Sequence, residues 1–293
     1  MQSKNKKPEG ALYLIDAMSQ IHRALHAPLR ELTAPDGEPT KVTYLFLRML
    51  LKLQAGHKIK GLMVAFDAPR HTLHRRKFYP PYKAHRDSRA PSTELGIQIK
   101  RIRQFLKYFN IPVLEQSGHE ADDLIASVVD TYQGEFDIVI VSRDKDLEQL
   151  LSDSVKMFDP QDDRWLDARG VEKKRGIRPD QMSDYLALVG DSSDNLPGVI
   201  GIGPKTARRL LNEFGDIDNI YKNLNSLPKT LQKRILHSDL RVMQKLTRLR
   251  CDLEIQLDPE DFEFKGINIA KGMLLIRALG MHSLLDLAKS NSF

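Results

Sequence analysis

"DIVIVSRDKD", residues 137–146, is a short apolar run that passes through Arg143 into two acids, Asp144 and Asp146. A run of this length and composition reads as a buried strand. Three others resemble it: "LYLI" at 12–15, "GLMVAF" at 61–66 and "IPVL" at 111–114. Between them lie helical patterns, such as "VTYLFLRMLLKLQAG" at 42–56 and "LGIQIKRIRQFLKYF" at 95–109. Strands alternating with helices predict an α/β fold, a central and mostly parallel sheet flanked by helices. From about Arg178 the character changes to helical signals broken by Gly and Pro, with one β-like stretch, "LEIQL", at 253–257. The expected division is an α/β domain over 1–178 and a smaller helical domain over 179–293.

Composition narrows the class. The 293 residues suffice for one large domain or two ordinary ones. Hydrophobic residues at 41% and charged residues at 29% describe a soluble globular chain. No stretch approaches the ~20 apolar residues of a membrane helix. The basic start "MQSKNKKPEG" is followed only by the apolar run Ala11 to Ile15, too short for the core of a signal peptide. Cys251 is the only cysteine, which excludes an internal disulfide and any multi-cysteine zinc or iron–sulfur site. A cytoplasmic protein without membrane contact is expected.

The strands share a property that composition does not explain: they run into acids. "LYLI" meets Asp16, "GLMVAF" meets Asp67, and "DIVIVS" leads to Asp144 and Asp146. "IPVL" leads within a few residues to "GHEADDLIASVV", 118–129, with Glu120, Asp122 and Asp123. In an open α/β sheet the carboxyl ends of the strands lie along one edge, where ligands bind. "VGDSSDN" at the domain junction adds Asp191 and Asp194, spaced i,i+3 as if on one helix face. Each acid also has a local role available. Asp144 could cap "KDLEQLL", Asp16 could start a turn, Asp194 could cap the run to Pro197, and the acids of 120–123 could serve a helix start. Nine caps, however, need not lie on one edge of one sheet. Nine carboxylates there without a cation would repel one another and have strongly raised pKa values. An all-oxygen set suits Mg²⁺ or Mn²⁺ rather than Zn²⁺. Asp122 is rotated by ~200° from Glu120 on a regular helix, so one of the three acids there is expected to stand back from the metal. Acidic clusters holding two ions ~3.5–4 Å apart are the usual apparatus of phosphoryl hydrolysis.

The net charge of +6 is unevenly spread. Between Arg70 and Arg89 lie seven Lys or Arg, three His and one acid, Asp87, with Phe78, Tyr79 and Tyr82 interleaved. Cations such as Arg70, Arg75 and Arg76 suit phosphates, and flat rings suit unpaired bases. The plainer alternative is a solvated surface loop. "GVIGIGPKTARRLL", 198–211, is not a P-loop, because Pro204 separates Gly203 from Lys205 and no strand precedes Gly198. It reads instead as a tight hairpin opening a helix at Pro204. Gly198, Gly201 and Gly203 allow close backbone approach, and free N–H groups at the helix start, near Lys205 and Thr206, can hold a phosphate. A packing element is the competing reading. "KTLQKRILHSDLRVMQKLTRLR", 229–250, adds basic density that fits a face tracking a duplex.

"YLIDAMSQIHRALHA", "VAFDAPRHTLHRRKFYPPYKAHR", "GHEADDLIA", "SRDKDLEQLL" and "LVGDSSDNLPGVIGIGPKTA" occur in the order found in the bacterial and phage 5′-nuclease family. That family includes the 5′→3′ exonuclease domain of DNA polymerase I and is related to flap endonucleases. The resemblance runs from about residue 11 to 290, with all nine acidic positions occupied. It implies a PIN-like 5′-nuclease fold followed by a helical domain with a helix–hairpin–helix duplex clamp. Asp16, Asp67, Glu120 and Asp122 would surround one metal, with Asp123 nearby; Asp144, Asp146, Asp191 and Asp194 would surround or approach the second. Residues 70–95 would form an arch in which Lys83 meets the scissile phosphate, with Tyr82 and Arg86 close by. The loop 198–206 would grip the duplex, with K⁺ held there as in relatives. The implied function is a structure-specific 5′→3′ exonuclease and 5′-flap endonuclease, a monomer acting on branched or nicked DNA, 5′ single strands and RNA–DNA primers. Two alternatives remain: a DNA-binding protein with little catalysis, and a nuclease acting mainly on RNA.

Overall fold

The computed structural model describes residues 10–86 and 92–290. Six strands form one sheet in the order β3-β2-β1-β4-β5-β6: β1 Ala11–Asp16, β2 Ile59–Ala65, β3 Val113–Leu114, β4 Ile138–Val141, β5 Val155–Asp159 and β6 Arg164–Leu166. β1 to β5 pair in parallel and β6 runs antiparallel to β5. Each of the four apolar runs read from the sequence supplies a strand, "IPVL" only through Val113 and Leu114; the β5–β6 hairpin was not anticipated.

The strand side chains alternate between two cores, as a pleat requires. Tyr13, Ile15, Leu62, Val64, Val139 and Val141 face one core. Leu12, Leu14, Met63, Ala65, Ile138 and Ile140 face the other. The first core is closed by α1 (Ala17–Leu25), α2 (Lys41–Gly56) and, after the short α3 (His74–Phe78), by α4 (Thr93–Tyr108). The second is closed by α5 (Ala121–Tyr132) and α6 (Ala168–Arg175). Burial on both faces is why these strands carry uninterrupted apolar runs; each buried Leu, Ile or Val contributes about 1.5–3 kcal/mol.

A third core belongs to α7 (Met182–Val189), α8 (Pro204–Phe214), α9 (Ile217–Lys222), α10 (Lys229–Leu236) and α11 (Leu240–Thr247). Leu73 and Tyr82 of the basic segment, with Ala68 just before it, pack into this core, so that segment is anchored on the helical part. Beyond Thr247 the chain returns to the sheet. Leu249, Leu253 and Phe262 join the α5 side, while Ile276 of α12 (Met273–Ala278) and Leu284 of α13 (His282–Ser290) join the other. "LEIQL" is not a strand: it is a strap without a ladder, tied by hydrogen bonds such as Leu253 N to Ser127 Oγ (3.2 Å).

Asp191 and Asp194 are not on a helix either. α7 stops at Val189, Gly190 has φ +87, and residues 191–196 form a turn closed by a bridge between Asp191 and Leu196. A Cβ at Gly190 would lie 2.7 Å from the Leu196 carbonyl oxygen, so the turn requires glycine there.

Candidate active site

The parallel register brings the acids level. Asp16 pairs with Ala65, and Ile15 with Val141, so β1, β2 and β4 end on one line. The chain leaves β1 for β2 on one side, and the sheet continues through β4 on the other. This is a topological switch point, where such sheets leave a crevice. Asp16 caps α1, accepting from Ser19 N at 3.0 Å, while its second oxygen accepts from Ser142 Oγ at 2.8 Å. Ser142 Oγ in turn accepts from Asp144 N, and Asp144 Oδ1 from Asp146 N, both at 3.0 Å. Asp67 Oδ1 accepts from Ala121 N at 2.8 Å, tying the end of β2 to the start of α5. Capping and clustering therefore hold together: acids that cap or tie these elements also raise one another's proton affinity, Asp67 and Asp144 acting on Asp16.

The cost is electrostatic. Burial, then the neighbouring Asp67, pushes Asp16 up to about 7. Burial and then Asp144 and Asp16 raise Asp122 well above the usual carboxylate range. Asp146 is also raised well above that range, by burial and then by Asp144, Asp194 and Asp191. Two like charges ~4 Å apart repel by roughly 4 kcal/mol at an effective dielectric near 20. Oxygens of Asp146, Asp191 and Asp194 all lie within 4.8 Å of one another. Asp146 Oδ1 is buried with no hydrogen-bond partner among the described residues. A buried orphan oxygen among mutually raised carboxylates is what a hard divalent cation would satisfy, and the donor set fits one.

Glu120 precedes α5 with extended backbone (φ −92, ψ 160), so the helical rotation between it and Asp122 does not apply. Asp122 faces Asp16 and Asp144, whereas Glu120 faces the basic segment. Asp123 is the acid of the three that stands back from the others. Its side chain is 0% exposed; Oδ1 accepts from Arg75 Nη2 at 2.7 Å and Arg250 N at 3.0 Å, and Oδ2 from Arg75 Nη1 at 2.7 Å. It is turned away from the acidic cleft.

The basic segment reaches the same carboxylates. Lys83 Nζ pairs with Glu120 and lies 3.4 Å from Asp194 Oδ2. Despite desolvation, Glu120 holds the ammonium charged, and Lys83 with Arg75 brings Glu120 down to about 2. Lys83 has φ +52, uncommon for a residue with a side chain, and its N–H donates to the Asp194 carbonyl at 3.0 Å. Arg86 Nη2 donates to the Ser193 carbonyl at 2.5 Å and to Asp194 Oδ1 at 3.1 Å; Arg70 Nη1 donates to the Arg86 carbonyl at 2.6 Å. Tyr82 is 3% exposed and its hydroxyl donates to Glu120 or Asp194, 2.8 and 3.0 Å away. It positions acids and offers no face to a base. Arg75, expected to meet DNA, is 2% exposed and bound to Asp123, Glu120 and the carbonyls of Leu246 and Arg248. Arg76 is half-buried, and Phe78 and Lys77 are exposed. Asp87 and Arg89, in the remainder of the expected arch, lie outside the described residues.

At the hairpin, Gly198 is buried with φ +66, and a Cβ there would meet Gly190 N at 2.3 Å. Its role is a backbone crossing rather than contact with phosphate, against expectation. Gly201 (φ +81) packs under Arg234, which donates to its carbonyl at 3.0 Å. Gly203 is exposed, with ordinary φ of −95, and precedes α8. Gly203, Lys205 and the half-buried Thr206 therefore surround the first turn of α8, whose N–H groups lack intrahelical acceptors. Ile200 projects at the tip, 86% exposed.

Sequence reading missed Ser142, which joins Asp16 to Asp144, and Lys145, whose Nζ donates to Asp191 Oδ1 at 2.6 Å. Against burial, Lys145 and Ser193 hold Asp191 below the usual range. The signal was present: both are polar residues in the short stretch that follows β4 and carries Asp144 and Asp146.

Residues 11–176 match the 5′-3′ exonuclease N-terminal resolvase-like domain and residues 177–270 the 5′-3′ exonuclease C-terminal SAM fold. A 5′-3′ exonuclease of Aquifex aeolicus is 41% identical over 275 residues, covering 94% of this chain and 93% of that protein. The thermostable DNA polymerase I of Thermus aquaticus is 38% identical over 256 residues, covering 86% of this chain but 30% of the polymerase. Among solved structures, a bacteriophage T5 flap endonuclease in a complex with DNA and metal ions superposes with a TM-score of 0.64 at 21% identity, covering 96% of this chain and 97% of that one. The catalytic core of Rad2 with a DNA substrate also gives 0.64, at 18% identity, covering 97% and 93%. The matched domains span the cleft and the hairpin alike, and the chain belongs to the 5′-3′ exonuclease family.

Proposed function

We propose that the chain removes 5′ ends and 5′ flaps from branched or nicked DNA through a site holding two divalent ions, Mg²⁺ or Mn²⁺, within primer removal, replication and repair. Family membership makes it a 5′-3′ exonuclease; dependence on metal and cleavage of flaps, drawn from the T5 flap endonuclease with its metal ions, are taken into the proposal. The two-ion arrangement, the residue roles and the setting are the proposal. The observation that carries it is the meeting of Lys83 with Glu120 and Asp194 at the mouth of the cleft that holds Asp146.

Divalent ions bound there supply activation of water and neutralisation of charge in an in-line displacement at phosphorus. Asp16, Asp67, Glu120 and Asp122 would hold one, and Asp144, Asp146, Asp191 and Asp194 the other. Lys83, released from Glu120, places an ammonium where charge develops on the reacting phosphate. Arg86 and Arg70 steer the 5′ strand, with Arg76 on the flank. Gly203, Lys205 and Thr206 present backbone N–H groups and one ammonium to the downstream duplex; K⁺ at this hairpin belongs to the same proposal. The working division is a catalytic part over 1–178 and a duplex-binding part over 179–293, although the chain beyond Thr247 packs back onto the two cores of the sheet. A monomer in the cytoplasm, acting also on RNA–DNA primers, completes the reading.

A labelled 5′ flap, a nicked duplex and a single strand, incubated with Mg²⁺ or chelator, test it. Cleavage near the flap junction that needs the ion, and that Asp144→Asn removes while binding in Ca²⁺ survives, is expected. Binding without cleavage in Mg²⁺ and Mn²⁺ would favour the binding-only alternative.

A further inference from the structure

Outside the acidic cleft, His74, His119 and Asp123 form a separate group. One ligand atom from each lies within 4.8 Å of the others. His74 belongs to α3 of the basic segment, and His119 immediately precedes Glu120. Their ring centres are 4.9 Å apart with planes tilted by 41°. Two imidazoles on one tetrahedral ion, with nitrogens at ~2.0–2.1 Å, have centres roughly 5 Å apart.

The hydrogen bonds leave suitable lone pairs. His74 Nδ1 lies 3.0 Å from the Gly118 carbonyl oxygen, which only accepts, so Nδ1 carries the proton and Nε2 is left as a donor to metal. A metal-binding histidine ordinarily has its other N–H on a backbone carbonyl or carboxylate in this way. His119 Nδ1 is buried with no hydrogen-bond partner among the described residues. Asp123 Oδ2 accepts from Arg75 Nη1, and a carboxylate oxygen has a second lone pair to offer. Both histidines are partly open to solvent, which gives an ion a way in.

We infer that His74, His119 and Asp123 form a transition-metal site that takes one zinc-class ion, separate from the all-oxygen cleft. The Arg75 guanidinium shares the Asp123 carboxylate, so affinity rests mainly on the two imidazoles. That selects borderline ions over Mg²⁺ and Ca²⁺. An ion there links α3 to the start of α5 and so braces the basic segment against the element that carries Glu120 and Asp122.

The test uses the whole chain with excess Mg²⁺ to fill the acidic cleft. Zn²⁺ is titrated against a chromophoric chelator, and Co²⁺ is followed by its visible spectrum. One Zn²⁺ per chain is expected, retained in Asp144→Asn and weakened at least ~10-fold in His74→Gln and in His119→Gln. The double variant should lose it, with circular dichroism confirming its fold. On the unmodified chain, Co²⁺ should give the intense bands of a low-coordinate site containing nitrogen. Weak octahedral bands alone, no Zn²⁺ bound in excess Mg²⁺, or unchanged affinity in a folded double variant would overturn the site.

Discussion

Arg75 grips Asp123 through two hydrogen bonds of 2.7 Å, Nη1 to Oδ2 and Nη2 to Oδ1, with both side chains buried. The same guanidinium reaches Glu120 at 3.0 Å and the Leu246 and Arg248 carbonyls at 3.1 Å. One side chain thus joins the basic segment, the start of α5 and the end of α11. Its charge serves architecture, and in the proposed mechanism its neighbours Lys83 and Arg86 are the cations left to meet substrate.

Arg75→Met is accordingly expected to lower stability by about 3–5 kcal/mol, because a buried carboxylate is left without its partner. Denaturant midpoints measure this. The dependence of log K for DNA on log salt should stay as in the unmodified chain, since the same phosphates are neutralised. Stability near the original value, with a slope shallower by ~0.9, would make Arg75 an ordinary DNA contact.

The carboxylate cluster sets a pH dependence in the chain freed of metal by chelator. Asp16 has a folded pKa of about 7, above its ordinary 3.8, so the folded state favours the protonated form. The stability it contributes is full below about 4 and is lost as the pH rises through about 7. Asp122 and Asp146 are shifted in the same direction. The melting temperature without metal should therefore fall from pH 5 to pH 8 through this cluster, and Mg²⁺ should restore it at pH 8 but hardly at pH 5. A restoration by Mg²⁺ independent of pH would contradict the clustering.

Lys83→Ala should lower single-turnover cleavage by ~10²–10³-fold and binding far less, as expected for a donor aimed at charge that develops in the transition state. Single-turnover rates and equilibrium binding of the same flap separate the two. A change confined to affinity would reduce Lys83 to a phosphate contact.

What the sequence disclosed follows from the kind of signal each feature leaves. β1, β2 and β4 are buried on both faces, so "LYLI", "GLMVAF" and "DIVIVS" are unbroken, and the acids after them mark the strand ends. β5 and β6, "VKMFD" and "RWL", mix charge with apolar residues on an edge hairpin and leave no such run. The i,i+3 spacing of Asp191 and Asp194 fits a turn as well as a helix; Gly190 was the discriminating residue. Arg75 looked like its basic neighbours because charge along a chain does not say which side chain points inward. The return of residues beyond Thr247 to the sheet was hidden for a related reason: apolar periodicity shows that a face is buried, but not against which core.

The hairpin supplies a paired test. Gly198 and Gly203 look alike in "GVIGIG", yet only the first is required by the fold. A Cβ at Gly198 would meet Gly190 N at 2.3 Å, whereas one at Gly203 meets nothing within 4 Å. Gly203 also has φ −95, a backbone that any residue adopts. Gly198→Val should therefore disrupt folding, while Gly203→Val should leave the melting temperature nearly unchanged. If the first turn of α8 grips phosphate, the valine side chain at Gly203 stands between backbone and ligand. Gly203→Val with Lys205→Ala should then weaken binding to a flap with a downstream duplex, and the salt slope should become shallower by ~0.9 for each phosphate no longer neutralised. A bare single strand, which does not reach the hairpin, should bind as before, and cleavage of bound flap should proceed at its former rate. Titrations of both substrates at several salt concentrations, on protein shown to be folded, decide the matter. Equal weakening on single strand and duplex, with no change in slope, would mean that residues 198–206 only pack the helical core.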